Sequence, residues 1–173
     1  MIRAKIKTVK KSSIKKELMR KIGEADNRSV KVGFPSNGVV RQGRKSNTKK
    51  SVEQVDIARV IEYAAYNHFG TRDGRIPSRP FMTTAFTGSN KAALDRLIKK
   101  EVSLIIDPKR NTSVEGSLRR LGVQAVSLIR KSITDMRSPA NSPRTKSQKK
   151  SDNPLIDTGR MRQSVQYELS RDL

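Results

Sequence analysis

Apolar residues recur along the chain at two periods, and the switches between those periods outline its elements. From Asp56 to Phe69 the apolar positions are Ile57, Val60, Ile61, Ala64, Ala65 and Phe69, the spacing of one buried helical stripe. Gly70 follows, where a left-handed cap favours a residue without Cβ. Thr71-Arg72-Asp73-Gly74 supplies turn chemistry, with Gly74 free to take positive φ. In Ile76-Pro77-Ser78-Arg79-Pro80-Phe81, Pro77 holds Ile76 extended and Ser78 is placed to act as N-cap. Pro80 suits the first turn of a new helix, where its missing N–H costs little. Phe81 is the first large apolar residue of that helix and is expected to anchor it to the core.

The rest of the pattern sits on either side of this stretch. Residues 1–28 read as a basic N-terminal arm or helix, and Ser13 to Ile22 has loose amphipathic spacing with Ser13 as a cap. Ser29 to Pro35 alternates through Val30, Val32 and Phe34, a half-buried strand. The helix entered at Arg79 is expected to break near Thr87-Gly88-Ser89-Asn90. Ser89 then caps a renewed helix carrying Leu94, Leu97, Ile98, Val102, Ile105 and Ile106, stopped by Asp107-Pro108. A further helix from about Ser113 carries Val114, Leu118, Leu121, Gly122, Ala125, Ile129 and Ile133, and Gly122 marks a close helix crossing. Asp157-Thr158-Gly159 is a turn in which Asp157 can bond the backbone ahead of it, and Val165, Tyr167 and Leu169 alternate as a terminal strand.

Two stretches lose the pattern and keep the charge. Residues 36–52 hold Arg41, Arg44, Lys45, Lys49 and Lys50 among Gly, Ser and Asn, and residues 138–153 hold Arg144, Lys146, Lys149 and Lys150 among Pro and Ser. Both read as flexible basic loops within a single domain spanning 29–173. Lys and Arg number 38 against 16 Asp and Glu, a formal net charge of +22. An excess of this size points to a polyanionic partner, most simply nucleic acid, although an acidic protein surface or an anionic membrane would also serve. Aromatics make up only 4% with no Trp, so stacking platforms for single strands are scarce. The cations sit in loops and tails rather than on one recognition helix, which favours phosphate contact over base reading. The basic N-terminus is not followed by a continuous apolar run, so neither a signal peptide nor a membrane anchor is expected.

Catalytic chemistry finds little footing. The single histidine, His68, lies beside Phe69 near a helix end, where packing or capping explains it. Asp157-Thr158-Gly159 matches the tripeptide of retroviral-type aspartic proteases, but those need it at a strand end in an all-β dimer, and this chain is helical upstream. With no cysteine, no phosphate-cradling Gly-Lys-Ser/Thr loop, no metal-spaced His-Glu pair and no nucleophile elbow, no enzyme activity, cofactor or metal site is expected.

Three runs in order resemble a known family: Val30-Lys31-Val32-Gly33-Phe34-Pro35; Ala64 to Thr71 leading into Ile76 to Met82; and Pro154 to Met161 with Ser164-Val165. They resemble the tail-completion or head–tail joining proteins of long-tailed bacteriophages, also described as minor tail or virion-morphogenesis proteins. The resemblance spans roughly Val30 to Leu169. It rests most on Phe69, Gly70, Ile76, Pro77, Arg79, Pro80 and Phe81, and on Asp157, Thr158, Gly159 and Arg160. His68 stands where that family usually has an acidic residue, and Ser78 where it has a small one.

The resemblance implies an α+β fold, an antiparallel sheet flanked by two or three helices with long basic loops. It implies a structural virion protein at the head–tail interface, made in the host cytoplasm. Its expected partners are copies of itself in a ring of typically six, head connector or portal-adaptor proteins, and tail terminator or tube proteins. Packaged DNA is a further candidate, with the two basic loops facing the lumen or neighbouring subunits. The alternative is a sequence-nonspecific nucleic-acid-binding protein.

Overall fold

The computed structural model describes residues 2–34, 57–107, 109–110, 112–149 and 151–171, with side chains from residue 13 to residue 170. Among them, seven helices and a two-stranded antiparallel sheet make a mixed α+β fold. The first basic stretch, with Arg41, Arg44, Lys45, Lys49 and Lys50, lies outside the described residues, as does Lys150.

The two sequence-predicted strands find each other across the whole chain. β1 (Arg28–Gly33) pairs with β2 (Gln166–Arg171), placing Val30 opposite Leu169 and Val32 opposite Tyr167. The alternating apolar residues of both strands therefore share one face. Two strands alone are marginal in water and need a helix beneath them. That helix is α5 (Val114–Asp135), and Tyr167 packs so tightly on it that a Cβ at Gly122 would lie 2.5 Å from the ring. The close crossing expected at Gly122 is thus helix on strand rather than helix on helix.

α5 is the core helix. Ser113 accepts from the Gly116 N–H as its N-cap, and Val114, Ala125, Val126, Leu128, Ile129 and Ile133 are buried along it. Against it sits α3 (Phe81–Ala85), with Phe81 fully buried and its carbonyl accepting from the Ser132 hydroxyl at 2.7 Å. Phe34, just beyond β1, meets the Phe81 ring edge-on at 6.3 Å. The anchoring role expected of Phe81 is the observed one.

α2 (Ile57–Phe69) departs from expectation at its end. Its buried line runs through Val60 and Ala64 toward the half-buried His68, so Phe69, about 100° further round the helix, points outward and is 76% exposed. The expected break after α3 falls at Phe86-Thr87, and α4 (Gly88–Ile106) begins one residue before Ser89, which is therefore not its cap. α4 stops at Asp107 as expected. Its stripe, however, lies largely outside the core: Ile98, Val102 and Ile106 are exposed, and its one buried residue is Glu101.

α1 (Ile2–Asp26) is longer than the Ser13–Ile22 segment expected, and Ser13 lies within it rather than capping it. Lys21 docks this helix by donating to the carbonyls of Ile105 and Arg110, each at 3.4 Å. A cation there also meets the negative end of α4. No helix among the described residues is long and apolar enough to cross a membrane.

Candidate functional site

The turn after α2 closes through local bonds before any long-range packing is needed. Gly70 adopts φ 79°, and its N–H donates to the Tyr66 carbonyl at 2.9 Å. A Cβ on Gly70 would lie 2.9 Å from the Ser78 nitrogen and 3.0 Å from the Ile76 oxygen, so both φ and space require glycine. The Thr71 N–H donates to the Ile76 carbonyl, while Thr71 Oγ1 accepts from the Ile76 N–H at 3.0 Å. Gly74 donates back to the Thr71 carbonyl with φ 71°, completing the expected turn. Ser78 does not cap the next helix. Its hydroxyl donates instead to the His68 carbonyl at 2.9 Å, closing the C-terminal end of α2. Pro80, expected inside the first turn, occupies the N-cap position of α3 without a side-chain cap bond.

Arg79 leaves this turn inward and is only 3% exposed. Its Nε donates to the Pro139 carbonyl at 2.7 Å, one terminal nitrogen donates to the Ala140 carbonyl and Asn141 Oδ1, and the other to Asn67 Oδ1 at 3.3 Å. All four acceptors are neutral oxygens. Burial pulls the guanidinium below its ordinary proton affinity. His68, next to Asn67 in sequence, meets Phe81 edge-on at 5.2 Å, and burial lowers its pKa as well.

Arg79 thereby holds residues 139–141, at the start of the 138–153 stretch expected to be a flexible basic loop. In place of that loop the structure has α6 (Pro143–Gln148), with Ser142 accepting from the Thr145 N–H and Pro143 at the first helical position. The far end of this stretch is fastened by Asn153, whose Nδ2 donates to the Thr134 carbonyl at 2.7 Å and the Ile133 carbonyl at 3.4 Å, satisfying open groups at the end of α5. Asn153 Oδ1 accepts from the Leu155 N–H. Lys149 is partly committed too, donating to the carbonyls of Asn153 and Pro154 at 3.1 and 3.2 Å. Arg144 and Lys146 remain exposed on α6.

The Asp-Thr-Gly run then leads into α7 (Arg160–Ser164), with Gly159 as its N-cap at φ 78°. Thr158 Oγ1 accepts from the Arg160 N–H at 3.5 Å, taking the turn-shaping bond expected of Asp157. Burial lowers the Lys149 pKa, Asp157 opposes that shift, and Arg79 adds to it.

These segments enclose a cleft of about 820 Å³. Ile76, Pro77 and Arg79 line it, as do Asp157, Thr158, Gly159 and Arg160. Lys149 also reaches it, whereas Arg144 and Lys146 are absent from its wall and Phe69 faces away. Sequence reasoning missed the roles of Asn67 and Asn141, which set Arg79 in place: Asn67 lies inside the Ala64–Thr71 run but off its apolar stripe, and Asn141 stands in no motif. Among the described residues no cluster of His, Cys, Asp and Glu could hold a metal ion. Comparisons of the chain with protein-family models, with curated proteins and with solved structures found no match.

Proposed function

We propose that this chain is a structural protein of a bacteriophage neck, forming a ring that joins the head connector to the tail. The observation that carries the reading is the meeting of its two most family-like runs. Ile76, Pro77 and Arg79 and Asp157 to Arg160 come from opposite halves of the chain and line one cleft. Two chance matches to one family would have no reason to meet in space, whereas parts of one shared architecture would.

A closed ring of identical subunits, typically six in proteins of this kind, uses two unlike faces on each subunit. Subunits of charge +22 repel one another, so such a ring needs negative charge nearby. DNA threading the lumen, and acidic surfaces on the connector or portal-adaptor side and the tail terminator or tube side, would supply it. In this reading the protein is made in the host cytoplasm and ends at the head–tail interface of the virion. Its site holds a joint together and performs no catalysis.

The charge alone favours a second reading, a sequence-nonspecific nucleic-acid-binding protein. Electron microscopy and sedimentation of the chain mixed with connector and tail components, with and without duplex DNA, separate the two. A neck protein assembles with those components in the absence of DNA. Coating of unrelated duplexes, with no assembly on either component, replaces the neck reading with the nucleic-acid one.

A further inference from the structure

We propose that the cleft between the Ile76–Phe81 turn and the Asn153–Met161 run is a receptor for an acidic peptide segment carrying apolar side chains, supplied by a different protein. The inference rests on the neck reading for the presence of a protein neighbour, and on the cleft itself for that neighbour's chemistry.

The first support is an unsatisfied donor. Asn141 lines the cleft, and its Nδ2 is buried with no hydrogen-bond partner. Its orientation is not arbitrary: Oδ1 accepts from Arg79 at 3.2 Å, which leaves the NH₂ group as the open end. A buried donor without an acceptor is costly, and a side-chain shift that brings it to an incoming carboxylate oxygen would relieve it.

The second support is the balance of charge. Arg75, Arg79, Lys149 and Arg160 line the cleft against the single carboxylate of Asp157 among the described lining residues. Arg79 meets only neutral oxygens in its own chain. Arg75 already pairs with Asp73 at 3.1 Å, so an entering carboxylate gains most from the excess of positive charge that Arg79, Lys149 and Arg160 leave over Asp157.

The rest of the wall chooses between kinds of anion. Tyr63, Ile76, Leu155 and Met161 contribute apolar surface beside the cations. A nucleic-acid backbone presents phosphates and sugars at such a surface, whereas a peptide can place an acidic and an apolar side chain on the two parts together. A second copy of this chain is disfavoured by its own charge of +22.

The test is a ¹⁵N NMR titration of the full chain that follows the Asn141 side-chain amide and the Arg79 Nε–H. The probe is the blocked pentapeptide Glu-Leu-Asp-Leu-Glu, with Gln-Leu-Asn-Leu-Gln and a random-sequence DNA duplex as comparison arms. The acidic peptide should shift both resonances saturably, and the neutral peptide should not. Arg75→Glu provides a variant that leaves the fold alone, because the Arg75 side chain is 86% exposed. It should weaken the acidic peptide about fivefold, roughly the factor that one exposed charge pair of about 1 kcal/mol allows. The inference is overturned if the acidic peptide leaves Asn141 unmoved, if the neutral peptide binds equally well, or if duplex DNA shifts the same resonances as strongly. Ring assembly that persists while Asn141 stays unmoved removes this receptor and keeps the neck reading; a filled cleft without assembly does the reverse.

Discussion

α4 and α5 are helices of similar length with apolar residues at helical spacing, yet they end in opposite situations. α5 buries Val126, Leu128, Ile129 and Ile133 between the sheet and α3. α4 leaves Ile98, Val102 and Ile106 exposed, and the residue it buries is a carboxylate. Periodicity states that a helix has an apolar side; it does not state that anything in the same chain covers that side. What distinguishes α5 is its set of long-range partners: Tyr167 seated on Gly122, Ser132 bonded to the Phe81 carbonyl, and Asn153 fastened to its last turn.

The comparison breaks most visibly at Ile129, which is fully buried on α5. Ile129→Ala removes methyl and methylene groups from a packed core and should cost about 2–5 kcal/mol. Chemical denaturation followed by circular dichroism measures it. An unchanged midpoint would mean that α5 is not the core helix and that its contrast with α4 is unfounded.

Glu101 gives a smaller effect and, with Leu94 against the core, helps to hold α4. Its carboxylate is 4% exposed and takes a bidentate pair of bonds from Arg120, at 2.8 and 2.6 Å. The Arg120 hydrogen bonds, aided by Ser117 and by nearby positive charge, hold the carboxyl below its ordinary pKa of 4.5 despite burial. A depressed folded-state pKa gives stability that is fully present above the unfolded value. That stability is lost as pH falls through the folded one. Glu101→Gln should therefore cost about 1–2 kcal/mol at neutral pH, discounted because Arg120 stays half-exposed. As pH falls below the ordinary carboxyl value of 4.5 and through the lowered one, the gap between variant and wild type should narrow. Thermal unfolding across pH 3–7 checks this, and a constant gap would mean that Glu101 contributes through shape rather than charge.

The same contrast marks what was legible in the sequence. The Gly70–Phe81 turn was readable because its determinants are local: positive φ at Gly70 and Gly74, fixed φ at the prolines, and an aromatic at the helix start. Ser78 was misassigned because its choice of partner depends on the His68 carbonyl, ten residues earlier and adjacent only after the turn closes. The strands were readable from alternation, although their pairing joins the two ends of the domain. The order in residues 138–149 was not readable, since it comes from Arg79 and Asn153 bonding to backbone rather than from any apolar stripe. The cleft inherits both cases: its motif residues were visible, and the asparagines that position Arg79 were not.

The smallest expected effect lies on the exposed stripe of α4, and it sharpens the comparison by its size. Ile98 and Val102 are 40% and 49% exposed and lie one helical turn apart. In the isolated chain, replacing both with Ser should change stability by no more than about 0.5 kcal/mol per site, the usual range for surface substitutions. Against the Ile129→Ala loss, that difference isolates coverage from helical propensity, because both helices have apolar side chains at the same spacing. The measurement is thermal unfolding at two protein concentrations separated by about tenfold. A loss comparable to Ile129→Ala that appears only at the higher concentration would mean that a second copy covers α4 in solution. The stripe would then be buried like that of α5, by another molecule instead of by the same chain.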